Sequence, residues 1–256
     1  LEDWYSQNSI IRSTNQDNSE VLTLSEAMEK LNALVGISDV KEEIQKLADF
    51  LKIQKERKKH DLPPMQLSLH MVFTGNPGTG KTTVARIVAS IFKALGVLNK
   101  GHLVETDRSG LVGQYIGHTE SKTNAIVQKA LGGILFIDEA YSLYKGSEND
   151  YGQEAIDTIV KLMEDHRHDL VVIVAGYYDE MQEFIEANPG LRSRFNTFIS
   201  FENYTIDELA AIFSIFAQKN GYELQTESWD KLKSEFSQAL ASADSSFGNG
   251  RYIRNL

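Results

Sequence analysis

A glycine-rich segment runs directly into a lysine and two threonines. Residues 75–83 are GNPGTGKTT, which fits the pattern G-x-x-x-x-G-K-[ST]. Glycine adopts the backbone conformations that turn consecutive N–H groups toward a phosphate. Lys81 can then reach the β- and γ-phosphates of a nucleotide, and the Thr82 hydroxyl can bind Mg²⁺. The predicted nucleotide contacts, beginning after Gly75, are Asn76, Pro77, Gly78, Thr79, Gly80, Lys81, Thr82 and Thr83.

Two carboxylates follow an apolar stretch later in the chain. The sequence GGILFIDEA places Asp138 and Glu139 at the end of a strand, where ligands bind in open α/β sheets. We expect Asp138 to hold Mg²⁺, directly or through water, and Glu139 to polarise the attacking water as a general base or an orienting acceptor. The tetrapeptide [NT]-K-x-D, which recognises guanine in GTPases, does not occur in the sequence. The predicted ligand is therefore ATP with Mg²⁺.

The elements around these motifs alternate between strands and helices. The apolar run 67–74 precedes the glycine-rich loop, and a helical pattern that ends at Gly96 follows it. This context disfavours the alternative that the loop is a glycine-rich turn matching by chance. Alternating strands and helices predict a parallel sheet covered on both faces. The further predicted strands are 102–106, 133–138, 169–175 and 197–201, and the further predicted helices are 119–131, 153–165 and 179–187.

Helical segments flank this alternating region at both ends. Thr23 with Glu26, and Thr205 with Glu208, have the spacing of a capping box at a helix start. A second helix is predicted from about Ser38, and only helical patterns follow Thr205. The predicted organisation is a polar arm at 1–22, a nucleotide-binding α/β subdomain at 23–203 and a helical lid at 204–256.

Composition limits the possible classes of function. With 41% hydrophobic residues among 256, the chain can bury a substantial core. A net charge of −10 disfavours nucleic acid as a partner, because such proteins usually carry a basic excess. No apolar run approaches the roughly 20 residues of a membrane span, so a cytoplasmic protein without membrane insertion is expected. The chain begins with Leu1 rather than Met, which suggests a piece of a longer protein.

Several longer segments together resemble a known family. The chain is similar to AAA+ ATPases of the CbxX/CfqX branch, which includes red-type Rubisco activase and stage V sporulation protein K. The resemblance implies a P-loop NTPase fold with a five-stranded parallel sheet in the order 5-1-4-3-2, and a small C-terminal α-helical lid. It also implies a homo-oligomeric ring, a hexamer, that hydrolyses ATP and remodels a protein client. Besides the two motifs above, it rests on HLVETDRSGLVGQYIGHTESKT, DYGQEAIDTIVKLMED, VVIVAGYYDEM, NPGLRSRF and GNGRYIRN.

The resemblance implies roles that spacing alone does not supply. The segment Val35, Gly36 and Ile37 is similar to the stretch that packs against adenine in this family. Tyr115, Ile116 and Gly117 match the pore loop that grips a polypeptide, and the loop 145–152 lies where a second pore loop would be. An ordinary loop tyrosine is the alternative interpretation of Tyr115.

The resemblance also assigns arginines to catalysis. Arg194, in LRSRF, matches the arginine finger that reaches the neighbouring subunit's γ-phosphate, and Arg192 is the second candidate. Arg251 matches the sensor-2 arginine of the lid. The alternative is that all three are surface or helix-capping arginines.

Two departures from the family pattern bear on the mechanism. The family usually has Asn or Thr after the fourth strand to position the attacking water, whereas this chain has AGYY, so the role falls to Tyr177 or to no residue. The family's lid also continues beyond the position of Leu256, so the lid is predicted to be truncated.

Two other functions remain open from the sequence. One is a nucleotide-gated scaffold or assembly ATPase of a larger machine, such as a secretion apparatus, with slow turnover. The other is a DNA-directed AAA+ protein such as a clamp loader, which the isoelectric point near 5.1 disfavours.

Overall fold

The computed structural model describes residues 22–63, 65, 68–113, 115, 117–144, 151–223, 225–241 and 247–255, without the side chains of residues 226 and 227. The predicted arm, except Leu22, lies outside the described residues. Ile116 of the first predicted pore loop and residues 145–150 of the second also lie outside them.

Five parallel strands form one sheet in the described part of the chain. The order β2-β3-β4-β1-β5 confirms the predicted 5-1-4-3-2, counted from the opposite edge. Every residue of β3 and β4 is buried, because helices cover both faces of the sheet. The strands are β1 (Met71–Gly75), β2 (Leu103–Thr106), β3 (Ile134–Ile137), β4 (Val171–Gly176) and β5 (Thr197–Phe201).

The first strand begins later than its sequence predicts. The apolar run 67–74 indicated a strand, but pairing starts at Met71, which lies opposite Ile173 of β4 and Thr197 of β5. Since β5 itself begins at Thr197, no further residue of that strand is available for pairing. His70 is held by its side chain instead, with Nδ1 accepting from the backbone N–H of Val172 at 3.0 Å.

Helices pack on the two faces of the sheet and bury two apolar cores. On one face lie α1 (Leu24–Asn32), α2 (Ser38–Lys59) and α3 (Lys81–Leu95). On the other face lie α4 (Arg108–Leu111), α5 (His118–Ala130), α6 (Tyr151–Asp165), α7 (Tyr178–Ala187) and α8 (Pro189–Arg192), with a 3₁₀ turn at Ala140–Leu143.

The lid has a separate small core. Leu209, Phe236 and Ile253 are buried there, one from each of its three described helices. Capping boxes are present at both Thr23 and Thr205, which confirms the two predicted helix starts. None of the described helices is both long and apolar enough to cross a bilayer. The lid helices are α9 (Ile206–Lys219), α10 (Thr226–Ala241) and α11 (Gly250–Arg254).

Candidate active site

The glycine-rich loop connects the end of β1 to the start of α3. Gly75, Gly78 and Gly80 have φ values of 139°, 73° and 101°, which glycine adopts without steric cost. A Cβ atom at Gly75 would lie 2.2 Å from the carbonyl oxygen of Phe201, so the loop leaves the sheet where only glycine fits. The N-terminus of α3 follows at once and adds its N–H groups to those of the loop.

Lys81 lies at the inner side of this loop. Its Nζ donates to the carbonyl oxygens of Gly75 at 2.5 Å and Asn76 at 2.9 Å. Burial lowers the pKa of Lys81 to about 8, and Arg251 acts in the same direction, while Asp138 and Glu139 oppose the shift. A partly desolvated ammonium is stabilised by an incoming polyanion, so this position fits a phosphate group.

The lowered pKa of Lys81 predicts a pH dependence of nucleotide binding. If a nucleotide phosphate binds the protonated amine, as predicted, the free protein loses the required proton as the pH rises through about 8. We therefore expect affinity for Mg-ADP to fall above that pH, by up to about ten-fold per unit. Calorimetry at pH 8.5 in two buffers of different ionisation enthalpy should show proton uptake on binding. Lys81→Arg is the control, since it stays charged and should bind without proton uptake at this site. Binding of the unchanged protein without proton uptake would contradict this.

Two carboxylates lie at the end of β3. The backbone N–H of Asp138 donates to Thr106 O at 2.9 Å, and the N–H of Glu139 donates to Asp138 Oδ1 at 3.1 Å. Glu139 has φ 48° and ψ 43°, a left-handed conformation that is rare for a residue with a side chain. The chain thus turns sharply at Glu139, two residues after the end of β3 at Ile137. The Asp138 carboxylate and the Thr82 hydroxyl are oxygen ligands of the kind Mg²⁺ prefers.

A cavity of about 470 Å³ lies between the α/β subdomain and the lid. It brings together most of the residues predicted from the two motifs, and it adds the lid arginine and the tyrosine that follows β4. The predicted residues that line it are Val35, Gly75, Pro77, Gly78, Gly80, Lys81, Thr82, Thr83, Asp138, Glu139, Tyr177 and Arg251.

Four predicted nucleotide contacts, Gly36, Ile37, Asn76 and Thr79, lie beside the cavity wall rather than in it. Gly36 and Ile37 pack toward the lid, and a Cβ atom at Gly36 would lie 2.3 Å from Glu208 Oε1. Thr79 is fully buried, and its hydroxyl donates to Asn76 O at 2.8 Å. These residues shape the loop and its surroundings, and their direct contact with a nucleotide stays a prediction.

Tyr177 stands at the N-cap of α7 and faces the cavity. Its ring lies 6.1 Å from that of Tyr141, measured between centroids. Burial raises the pKa of Tyr141 to about 12, and the charge of Glu139 adds to the shift. The Tyr141 phenol therefore stays protonated near neutral pH and can donate to an oxygen atom. The predicted role of Tyr177 in positioning water stays a prediction.

The two candidate finger arginines lie away from this cavity, and their surroundings differ. The Arg194 side chain is only 25% exposed, with Nη2 3.3 Å from Glu164 Oε2 and Nη1 3.2 Å from Gly190 O. Arg192, at the end of α8, is exposed. Neither arginine is among the described residues that line the cavity of its own chain, as a residue serving a neighbouring subunit requires.

The predicted pore loop is described at Tyr115 and Gly117. Tyr115 is 66% exposed, and its ring lies 5.5 Å from that of His118. Gly117 has φ 79° and immediately precedes α5. Such an exposed aromatic residue contributes little to the core, which fits both a pore-loop tyrosine and an ordinary loop tyrosine, so the pore-loop role stays a prediction.

Sequence reasoning missed several residues of the cavity wall. Arg254 lines it, and the Arg254 Cζ atom lies 5.5 Å from the centroid of the Phe216 ring. Arg254 follows Arg251 by three residues in α11, and this spacing places both on one helix face. That spacing is the signal that would have identified it. The other missed residues are Ala33, Leu34, Arg86, Glu105, Gly176, Tyr204, Ile212, Ile215, Phe216 and Gly250.

Comparison with known proteins agrees with this geometry. A sequence model described as the ATPase family associated with various cellular activities (AAA) matches residues 71–203, and a model of the AAA lid domain matches residues 205–256. The chain belongs to the AAA ATPase family. Like the other members of this family, it is an ATPase.

Curated relatives of this AAA ATPase match over most of its length. Stage V sporulation protein K of Bacillus subtilis is 46% identical over 235 residues, which cover 91% of this chain and 73% of the relative. Protein CbbX of Cereibacter sphaeroides is 45% identical over 232 residues, which cover 90% of this chain and 74% of the relative.

Solved structures share the fold at lower identity. A point mutant of Thermotoga maritima RuvB superposes with a TM-score of 0.57 and 22% identity, covering 88% of this chain. The chain spans 63% of the RuvB chain. The likeness confirms the predicted α/β fold with its helical lid.

Proposed function

We propose that this AAA ATPase binds and hydrolyses Mg-ATP in a homo-oligomeric ring, a hexamer, and uses the hydrolysis to remodel a protein client. The proposal is carried by one observation. A single cavity collects the lysine of the phosphate loop, two carboxylates at the end of β3 and an arginine of the lid. A cation, a metal-binding carboxylate and a base around one cavity are the parts that ATP hydrolysis requires.

Each side chain in the cavity takes a distinct role in this proposal. The loop N–H groups and Lys81 bind the β- and γ-phosphates, and the Thr82 hydroxyl with the Asp138 carboxylate holds Mg²⁺. Bound Mg²⁺ would neutralise charge on the phosphate oxygens. Glu139 accepts a proton from the attacking water or orients it. Arg251 reaches the phosphates from the lid, so its contact depends on how the lid lies over the site.

Assembly completes the site in this proposal. Arg194 of one subunit reaches the γ-phosphate bound by the next, which explains why it stands outside the cavity of its own chain. Within one chain Arg194 pairs with Glu164, so assembly must exchange that carboxylate for a phosphate. The exchange is between two anions, and the partly buried guanidinium keeps a partner in both states.

The exposed Tyr115 is the proposed contact with the client. An aromatic ring offers broad apolar contact without demanding a particular sequence, which suits an unfolded polypeptide segment. The relatives named above are proteins of the same family, and nothing in their names specifies the client of this chain.

Substitution of Tyr115 tests the remodelling proposal. Because the residue is 66% exposed, we expect Tyr115→Ala to change the free energy of unfolding by no more than about 0.5 kcal/mol. The same variant should lose the stimulation of ATP turnover by an unfolded polypeptide, whereas Tyr115→Phe should retain it, since the ring makes the contact. Thermal unfolding, native mass measurement and turnover with and without the polypeptide check this.

The outcomes also separate the remodelling proposal from the scaffold alternative. Slow turnover that no polypeptide stimulates, in a protein that assembles with ATP, would support a nucleotide-gated scaffold. If the Tyr115→Ala protein is destabilised and does not assemble, Tyr115 is a packing residue and the proposed client contact is wrong.

A further inference from the structure

Three consecutive carbonyl groups of the phosphate loop point toward the lid and its connecting segment. Pro77 O accepts from Asn249 Nδ2 at 3.4 Å, and Gly78 O accepts from the backbone N–H of Gly250 at 3.1 Å. Thr79 O accepts from the Tyr204 hydroxyl at 3.0 Å. Donors outside the loop thus bind its outer side, which leaves the opposite side of these peptide units for N–H groups that face the cavity.

Asn249 is the centre of this arrangement. It is fully buried, and its Oδ1 accepts from the Tyr204 N–H at 3.0 Å. Its Nδ2 also lies 2.9 Å from Asn203 Oδ1 and 3.0 Å from Phe247 O, so its two donors are shared among three acceptors. Asn203 Oδ1 accepts from Asn76 Nδ2 at 2.9 Å as well. A chain of amides therefore joins the loop, the connecting segment and the lid.

The backbone of Asn249 supports a specific role for its side chain. Its φ of 42° and ψ of −117° form a conformation that side-chain-bearing residues rarely adopt. Such a conformation persists where surrounding contacts hold it, and here the buried amide makes those contacts. An ordinary surface turn would place glycine at this position, and glycines stand on both sides of it.

Loop and lid also touch backbone to backbone. A Cβ atom at Gly78 would lie 2.1 Å from Gly248 O and 2.8 Å from the backbone nitrogen of Arg251. The lid segment that holds the loop from outside is thus the same segment that places Arg251 at the cavity. Any displacement of this segment changes both the loop's outer hydrogen bonds and the position of Arg251.

We propose that Asn249, together with Tyr204, is a positioning residue for the phosphate loop. The pair keeps the carbonyl groups of residues 77–79 turned outward, so that nucleotide affinity depends on the lid segment lying against the loop. This inference rests on the proposed function, in which the loop binds a triphosphate. The competing explanation is that these bonds only attach the lid to the α/β subdomain.

Two variants remove the proposed contacts with little other change. Tyr204→Phe deletes the hydroxyl that donates to Thr79 O and leaves the ring in the lid core, but Tyr204 also lines the cavity, so Asn249→Gly, at a residue outside the cavity wall, is the decisive variant. Asn249→Gly deletes the amide and suits the positive φ at that position. Phe236→Leu is the matched control, because it weakens the lid core at a fully buried residue that belongs to neither the cavity wall nor the bonds described above.

The experiment measures the affinity of each protein for Mg-ADP and for magnesium pyrophosphate by calorimetry. Pyrophosphate contacts the loop but has no base or ribose to touch the rest of the cavity. If the bonds position the loop, Tyr204→Phe and Asn249→Gly should each weaken both ligands by about three- to ten-fold. Phe236→Leu should bind both as the unchanged protein does.

Each other outcome has a definite meaning. Variants that lose affinity for Mg-ADP but not for pyrophosphate would show attachment of the lid and overturn the inference. So would an equal loss in Phe236→Leu, or an unchanged protein that binds Mg-ADP without binding pyrophosphate. An unchanged protein that binds neither ligand would instead refute the proposed nucleotide site itself.

Discussion

Glu139→Gln is expected to retain Mg-ATP affinity while its hydrolysis rate falls by about 10²- to 10⁴-fold. Glutamine has the shape of glutamate but cannot accept a proton from water, and the loop, Lys81 and Asp138 are left unchanged. Lys81→Ala, by contrast, should weaken ATP binding itself. It removes a charged donor to the phosphates, so ATP affinity should fall by between about 10- and 150-fold. Equilibrium binding and single-turnover hydrolysis on both variants check this.

Glu105→Gln is the matched control for the change at Glu139. Glu105 lies on the same cavity wall, and its Oε2 is 2.9 Å from Arg86 Nη2, so the substitution makes an equal chemical change away from the end of β3. An exposed pair of this kind contributes little, so turnover should stay close to that of the unchanged protein. Equal losses of turnover at the two positions would remove the special role of Glu139. Equal losses of ATP affinity in Lys81→Ala and Glu139→Gln would do the same.

Arg194→Ala is expected to reduce ATP turnover by about 10³-fold or more, because the arginine would stabilise charge that develops in the transition state. The effect should act between subunits. Mixed with Glu139→Gln protein, Arg194→Ala should recover part of the activity, since each variant supplies what the other lacks at one interface. The turnover of the unchanged protein per subunit should also rise with protein concentration, because the site is completed only on assembly.

Arg192→Ala is the control for this prediction. Arg192 is exposed and two residues earlier, whereas Arg194 is largely buried against Glu164 and Gly190. If Arg194 is the finger, Arg192→Ala should retain most of the turnover. Retained activity in Arg194→Ala with loss in Arg192→Ala would assign the role to the exposed arginine. No recovery in mixtures, with mixed rings shown by native mass measurement, would make Arg194 a structural residue.

The local patterns of the sequence predicted the fold well. Capping boxes at Thr23 and Thr205 depend on residues three apart, so they are visible in one short window. The buried strand before Asp138 is apolar throughout, as its cover on both faces requires. The glycines of the loop are needed by the backbone itself, as the close approach of Gly75 to Phe201 O demonstrates.

Contacts between distant segments could not be predicted in this way. Asn249 lies 172 residues from Pro77 and 45 from Tyr204, and no periodicity links such positions. The pairing of Arg194 with Glu164 likewise depends on how α8 packs beside α6, which side-chain patterns do not specify. The predicted start of β1 was wrong for a related reason, because the apolar run 67–74 does not reveal that pairing with β5 begins only at Met71, opposite Thr197.

The left-handed backbone conformation at Glu139 lowers the stability of the folded protein at the position where the proposed mechanism needs a carboxylate. A residue with a Cβ atom loses about 1–2 kcal/mol in such a conformation, and glycine does not. Its φ of 48° therefore carries a cost in every folded molecule, whether or not nucleotide is bound. Replacement of Glu139 by glycine is therefore expected to raise the melting temperature, and, if Glu139 is the base that we propose, the more stable protein would lose its turnover.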